Sequence, residues 1–178
     1  MRIHQLITIN AVIIAAMLVV GCSKSTSQSP QNVTSANIPE KNQSAVIVNH
    51  SRNNLKQIFL SFMLWAQKHN GNYPFNVSQA EGGTRELCDR DSEGFEKNPA
   101  PVFMVMSNAL WTPKVLICPN DKTKSAAADF ASLTTNNISY KLRTGANVGP
   151  DHPSEILAID PINGLVLHCD GSIQEGAH

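Results

Sequence analysis

One amphipathic segment, residues 53–74 (NNLKQIFLSFMLWAQKHNGNYP), constrains the fold of this chain more than any other. Its apolar residues recur at three- and four-residue steps, the spacing that places side chains on one face of an α-helix. The residues at these steps are Leu55, Ile58, Phe59, Phe62 and Ala66. The pattern stops at residues 69–74, where Asn or Gly can close a helix and Pro cannot continue one. We therefore predict an amphipathic helix that a sheet or a second helix must cover.

The length and charge of the chain narrow the classes it can belong to. Its 178 residues fit one globular domain with appendages. Basic and acidic residues number 14 each, so the charge gives no reason to expect a nucleic-acid partner. No segment repeats at a fixed period, which argues against a solenoid or a propeller.

Residues 1–21 have the parts of an export signal: Arg2 near the start, then an apolar run, then a small residue before Cys22. The Val-Val-Gly-Cys ending resembles the bacterial lipobox, which implies that Cys22 is acylated and becomes the mature N-terminus. Buried acyl chains contribute about 0.8 kcal/mol per methylene, enough for two or three chains to anchor a protein. Ser23 follows the cysteine and, by the enterobacterial sorting rule, favours the outer membrane, facing the periplasm. An uncleaved N-terminal membrane anchor is the alternative.

Residues 22–45 are predicted to be a flexible tether. They are rich in Ser, Gln, Asn, Thr and Pro and hold almost nothing to bury, so the entropy of ordering them is not offset. The folded domain is expected over residues 46–178, and an early helical turn is expected at residues 46–48.

Shorter patterns predict the elements that follow the amphipathic helix. These are a short helix over residues 101–110, a strand over 114–118, a helical turn over 122–133 and a strand over 138–142. The clearest β signal is two aliphatic runs, residues 155–160 and 165–169, joined through the hairpin pair Asn163–Gly164. Asp170–Gly171 then reverses the chain into residues 172–175 and completes a three-stranded antiparallel meander. The predicted fold class is α+β, with one long N-terminal helix packed on a small antiparallel β-sheet.

Several blocks together resemble one known family. They are residues 53–74, VMSNALWTPKVLICPND at 105–121, NNISY at 136–140 and DGSIQ at 170–174. These blocks are similar to type II secretion pseudopilin-like proteins, especially the expanded set of planctomycete and verrucomicrobial bacteria, over about residues 50–175. The resemblance implies a pilin-like globular domain without known catalytic activity, and pseudopilins or other envelope proteins as partners.

The chain departs from the family pattern in two places. A lipobox and a polar tether stand where a pseudopilin has a prepilin-peptidase signal and a long apolar helix, so the helix is expected to organise a domain rather than a filament. Asp160 also occupies the position of a histidine that the family places ten residues before its Asp-Gly pair.

Cys88, Cys118 and Cys169 remain once Cys22 is assigned to lipidation. An exported chain meets an oxidising compartment, where one disulfide and one leftover thiol is the simplest arrangement. The preferred pair is Cys88 with Cys118, since Cys88 lies in a predicted loop that can reach the end of the predicted strand. The alternative is that all three are reduced, with Cys118 and Cys169 packing as small apolar residues.

Donor side chains also cluster near the end of the chain, at His152, Asp160, His168, Cys169 and Asp170. Neighbouring residues of a strand point to opposite faces, so His168 and Cys169 do not converge on one ion. We predict no metal site and no cofactor. Calcium binding, known for the major pseudopilin, stays open, with no ligands assigned.

The function that follows is a non-enzymatic structural or binding component of a secretion or pilus-like system, anchored to the membrane through Cys22. The first alternative is a periplasm-facing lipoprotein that binds a small ligand or a cell-wall polymer. The second is a hydrolase that pairs Cys118 or Cys169 with His152 or His168, although no catalytic motif is present. The aromatic residues Trp65, Tyr73 and Trp111 are expected to pack in or beside the core, and the alternative is that an exposed one marks a partner surface.

Overall fold

The computed structural model describes residues 40–176. Within them, helix α1 (Glu40–Ala66) precedes two short helices, α2 (Ala100–Val105) and α3 (Ser107–Leu110). One antiparallel sheet has the order β1-β2-β3-β4, with strands at Lys141–Leu142, Ile156–Asp160, Leu165–His168 and Ile173–Glu175. Short 3₁₀ helices lie at Pro74–Asn76, Gln79–Glu81, Arg85–Leu87, Pro113–Leu116 and Thr135–Asn137. The predicted α+β class, a long helix with a small antiparallel sheet, is confirmed.

Helix α1 is longer than its amphipathic segment. It begins at Glu40, so residues 40–45, which the sequence assigns to the tether, are helical. The side chains of residues 42–46 are exposed, and the first buried side chain is Ser51. The helix ends at Ala66, whose carbonyl accepts a hydrogen bond of 2.9 Å from the N–H of Gly71. Asn70 and Gly71 have φ of 54° and 80°, so the predicted Asn and Gly do close the helix.

The predicted apolar face of α1 forms the centre of the core. Leu55, Ile58 and Phe62 are completely buried. The ring centroid of Phe62 lies 4.9 Å from that of Tyr73, within the range of favourable aromatic pairs. The helix contacts β3, α3 and the 3₁₀ helix at Pro113–Leu116. The sheet therefore provides only part of the cover, and short helical segments provide the rest.

The predicted three-stranded meander is confirmed, and the two-residue strand β1 adds a fourth member. Asp160 pairs with Leu165 at the end of the β2–β3 hairpin, and Gly164 adopts a φ of 65°. The Oδ1 atom of Asp160 accepts hydrogen bonds of 2.9 Å and 3.2 Å from the N–H groups of Ile162 and Asn163. An aspartate that caps its own turn in this way fixes the register of the hairpin.

Two predicted elements, the strand over residues 114–118 and the helical turn over 122–133, are wrong. The predicted short helix over 101–110 is confirmed, but it is interrupted. Residues 114–118 are not a strand, because Pro113 starts a 3₁₀ helix and the Thr112 side chain accepts a hydrogen bond from the N–H of Lys114. Residues 122–133 contain no helix, since Asp129 Oδ1 accepts the N–H of Ser132 at 2.8 Å and holds a turn. The short helix over 101–110 forms as α2 and α3, with the break at Met106.

The N-terminal predictions lie outside the described residues. They concern the signal peptide at 1–21, the lipidated Cys22 and the tether as far as residue 39. Among the helices of residues 40–176, none has the length and apolar character that a membrane span requires.

Candidate functional site: the groove beside Trp111

Trp111 is 88 % exposed, far more than Trp65 and Tyr73, the other two aromatic residues that were expected to pack in or beside the core. Trp65 and Tyr73 are buried, as expected, but the expectation that Trp111 packs in or beside the core is wrong. The physical reason is local. Helix α3 ends at Leu110, which is buried, and Trp111 then turns the chain with φ 65° and ψ −37°. With Leu110 turned inward, Trp111 is directed into solvent.

A groove of about 410 Å³ lies beside Trp111, between the last turns of α1 and the α2–α3 segment. Its lining residues are Leu64, Trp65, Gln67, Lys68, His69, Val105, Met106, Asn108, Ala109 and Trp111, and we call it the Trp111 groove. Leu64 is 48 % and Val105 is 37 % exposed. Leu60, one turn before Leu64, is also exposed and continues the apolar strip along α1.

The polar residues of the Trp111 groove lie at one end of α1. The His69 ring stacks on the Trp65 ring with centroids 3.4 Å apart, and His69 Nδ1 lies 2.8 Å from the Trp65 carbonyl oxygen. Both rings are therefore held in place. Gln67, Lys68 and Asn108 are exposed and offer donors and acceptors at the edge. An apolar floor with a few polar groups is the usual chemistry of a binding site.

The three cysteines within residues 40–176 are free thiols, so the predicted bridge between Cys88 and Cys118 is not formed in this structure. Cys88 Sγ lies 3.4 Å from the Thr84 carbonyl oxygen, whereas Cys118 Sγ lies 3.6 Å from Asp160 Oδ2. The thiols of Cys88 and Cys118 therefore have different neighbouring groups. The strand end that Cys88 was expected to reach does not exist, because residues 113–116 are helical.

Burial also makes these thiols poor nucleophiles. It raises the pKa of Cys88 and of Cys169 to about 11 and, with the nearby Asp160 carboxylate as a lesser cause, raises the pKa of Cys118. A thiol with a raised pKa is protonated at neutral pH and lacks the reactive thiolate. No hydrogen bond joins a cysteine to a histidine in the described part of the chain.

The residues proposed for metal or hydrolase chemistry do not converge. Cys169 is buried, while His168 is partly exposed and places Nδ1 2.9 Å from the Ser154 carbonyl oxygen. Asp170 accepts the N–H of Ser172 in the turn before Gly171, as its sequence context predicts. His152 is exposed. Residues 40–176 contain no group of three or more His, Cys, Asp or Glu side chains arranged to hold a metal ion.

Asp160 lies in a buried polar cluster rather than in an open site. Its Oδ2 accepts hydrogen bonds from the Ser51 hydroxyl and, at 2.7 Å, from Asn163 Nδ2. The Ser51 hydroxyl lies 3.1 Å from the hydroxyl of Tyr140, and Cys118 Sγ also faces the carboxylate. Asp160 and Ser51 are completely buried. This cluster joins α1 to the β2–β3 hairpin and leaves no room for a substrate beside the carboxylate.

The sequence alone did not identify the Trp111 groove, although it carried one signal. A large aromatic residue directly before Thr-Pro is forced to the end of a helix, where it is often exposed. No protein-family model matches the chain, and searches of curated proteins and of solved structures found no similar protein.

Proposed function

We propose that this chain is a lipid-anchored, non-enzymatic component of the bacterial cell envelope whose pilin-like domain binds a protein partner through the Trp111 groove. The observation that carries the proposal is the exposure of Trp111 in a sterically unfavourable backbone conformation. A non-glycine residue at positive φ costs free energy, and such residues cluster at functional sites. The resemblance to pseudopilin-like proteins names pseudopilins as the first candidate partners.

The energetics of Trp111 favour binding to a macromolecule. Covering a large apolar side chain contributes about 2–3 kcal/mol, and tryptophan is enriched among the residues that dominate binding energies. Leu60, Leu64 and Val105 extend the apolar surface around it. Covering each of these side chains with a partner lowers the free energy. In a domain that binds no partner, a connected apolar strip would stay exposed to water at a cost in free energy. The surface is therefore best explained as one that a partner covers.

The experiment is co-purification of pseudopilins from a strain that produces the full-length, tagged lipoprotein. We expect Trp111→Ala and Leu64→Asp to reduce recovery of the partner by about tenfold or more, since each removes an apolar side chain that lines the groove. Leu87→Ala and Ile162→Ala are the controls, because these side chains are 46 % and 45 % exposed but lie outside the groove. Equal recovery with all four variants contradicts the proposal.

A second candidate function is binding of a small ligand or a cell-wall polymer in the same groove. It is favoured by the volume of about 410 Å³, within the range of small-molecule sites, and by the amides of Gln67 and Asn108 at the edge. The chain has only two tryptophans, so a Trp65→Phe variant leaves Trp111 as the sole indole reporter. Saturable quenching of its fluorescence by soluble peptidoglycan fragments supports this function, and an unchanged spectrum argues against it.

A further inference from the structure

A second cleft, of about 440 Å³, shares no residue with the Trp111 groove. It is lined by Arg90, Gly94, Arg143, Glu155 and the turn at residues 144–148. The ionisable side chains of this lining are two arginines and one glutamate, so the cleft has an excess of positive charge. We call it the arginine cleft.

The arginines of the cleft differ from the other arginines of the described residues. Arg52 lies 3.5 Å from a carboxylate oxygen of Glu175, and Arg85 lies 3.3 Å from one of Glu86. Within residues 40–176, neither Arg90 nor Arg143 has a carboxylate oxygen within 4.0 Å. Glu155 lines the same cleft but forms no ion pair with either arginine, so both guanidinium groups keep donors for an external anion.

Two glycines at positive φ make room for these guanidinium groups. A Cβ atom on Gly145, whose φ is 137°, would lie 2.5 Å from Arg90 Nη1. A Cβ atom on Gly94, whose φ is 86°, would lie 3.3 Å from Arg143 Nε. Each guanidinium group therefore lies against the backbone of a glycine at positive φ. Arg90 is further positioned by a hydrogen bond of 3.4 Å from Nη1 to the Thr144 carbonyl oxygen.

The two chain segments that carry the arginines are joined to each other by backbone contacts. Phe95 and Arg143 form an antiparallel bridge, and the N–H of Thr144 donates to the Gly94 carbonyl oxygen at 3.3 Å. Glu96, a buried carboxylate of this scaffold, already accepts hydrogen bonds from the N–H of Asp89 at 2.8 Å and from the Thr144 hydroxyl at 3.1 Å. The scaffold holds the two segments in place, and neither arginine forms an ion pair within it.

We propose that the arginine cleft binds a phosphate group. A guanidinium donates two parallel hydrogen bonds to an oxyanion, and two guanidiniums match a group with several oxygens and more than one negative charge. A terminal phosphate carries about −1.5 to −2 charges at pH 7, so it is attracted to the arginine pair more strongly than a carboxylate is, even with Glu155 in the same lining. The backbone N–H groups of Gly145, Ala146 and Asn147 donate to no acceptor within the described residues, so they are available as further donors.

The test is isothermal titration of the full chain in detergent with inorganic phosphate, at low ionic strength. We expect saturable binding that weakens about tenfold or more in both Arg90→Gln and Arg143→Gln, because each variant loses charge-assisted hydrogen bonds. Arg85→Gln is the matched control, since it removes the same charge from an arginine outside the cleft. Arg90→Lys and Arg143→Lys keep the charge, and weaker phosphate binding in them assigns recognition to the guanidinium fork.

A second arm replaces inorganic phosphate by diethyl phosphate, a singly charged diester. Binding of both anions assigns the site to a phosphodiester polymer as well as to free phosphate, and binding of inorganic phosphate alone assigns it to a terminal phosphate. The proposal is overturned if neither anion binds, or if Arg85→Gln weakens binding as much as the two cleft variants do. Circular dichroism of each variant confirms that lost binding is not lost folding.

Discussion

Asp160 shows how a single residue acquires a role that its neighbours in sequence do not reveal. It caps the β2–β3 turn with one carboxylate oxygen and receives the Ser51 hydroxyl and Asn163 Nδ2 on the other. A buried carboxyl group is tolerated when its oxygens are hydrogen-bonded, and this one has donors on both oxygens.

Thr84 contrasts with Asp160, whose buried oxygens are hydrogen-bonded, and a substitution of Thr84 tests this contrast. It is buried, yet its hydroxyl has no hydrogen-bond partner within the described residues. We expect Thr84→Val to raise the free energy of unfolding by about 1 kcal/mol, because it removes an unsatisfied hydroxyl and keeps the shape of the side chain. Urea denaturation measures the change.

Thr144→Val is the matched control for that prediction. Thr144 is equally buried, but its hydroxyl donates to Glu96 at 3.1 Å, so the same substitution leaves a buried carboxylate without one of its donors. We expect a loss of about 1–3 kcal/mol in this variant. A destabilised Thr84→Val protein would show that the Thr84 hydroxyl has a partner in solution.

At the scale of elements, helix α1 and the β2–β4 meander were predictable, whereas the segment between them was predicted only in part: the short helix over residues 101–110 forms, but the strand over 114–118 does not. The helix repeats its apolar spacing over several turns, and the hairpins carry Asn-Gly and Asp-Gly pairs. The run at residues 114–118 is too short for periodicity to distinguish a strand from a helical turn. Pro113 decided it, because its fixed φ suits the first position of a helical turn.

The turn at Gly171 packs against Phe59 of α1, so a substitution of this glycine tests the contact between the meander and the helix. A Cβ atom on Gly171 would lie 2.5 Å from the Phe59 ring, and its φ is 83°. Gly82 has a similar φ of 87° with nothing within 4 Å of such a Cβ. We expect Gly82→Ala to cost about 1 kcal/mol for backbone strain, and Gly171→Ala to cost about 1–3 kcal/mol more because Phe59 must move.

Thermal and urea denaturation of the two variants measure this difference. Equal losses of stability in Gly171→Ala and Gly82→Ala would mean that Phe59 moves aside without cost and that the turn does not press on α1.

At the scale of the whole molecule, the described residues form two separate clefts, which we propose as recognition surfaces. The Trp111 groove is apolar and suits a protein surface, whereas the arginine cleft is cationic and suits an anion. Neither lining contains a cysteine.

The predicted lipid anchor on Cys22 can be tested on the whole molecule. If Cys22 is acylated, Cys22→Ser leaves an unlipidated protein, because serine has no thiol to receive the lipid. We expect the variant to leave the membrane fraction, or to accumulate as the unprocessed precursor, and its intact mass to lack the acyl chains. An unchanged membrane fraction together with an unchanged mass contradicts the lipoprotein assignment.

The sequence by itself determined the helix, the hairpins and the α+β class, because apolar spacing and turn residues act locally along the chain. It also supplied the residues of both surfaces without indicating that they meet. Arg90 and Arg143 are brought to one cleft only when the loops that carry them pair, and Ser51 meets Asp160 only when α1 lies on the hairpin. Even the exposure of Trp111 depends on Leu110 being buried beneath it. These features depend on contacts between distant segments, so only the tertiary structure decided them.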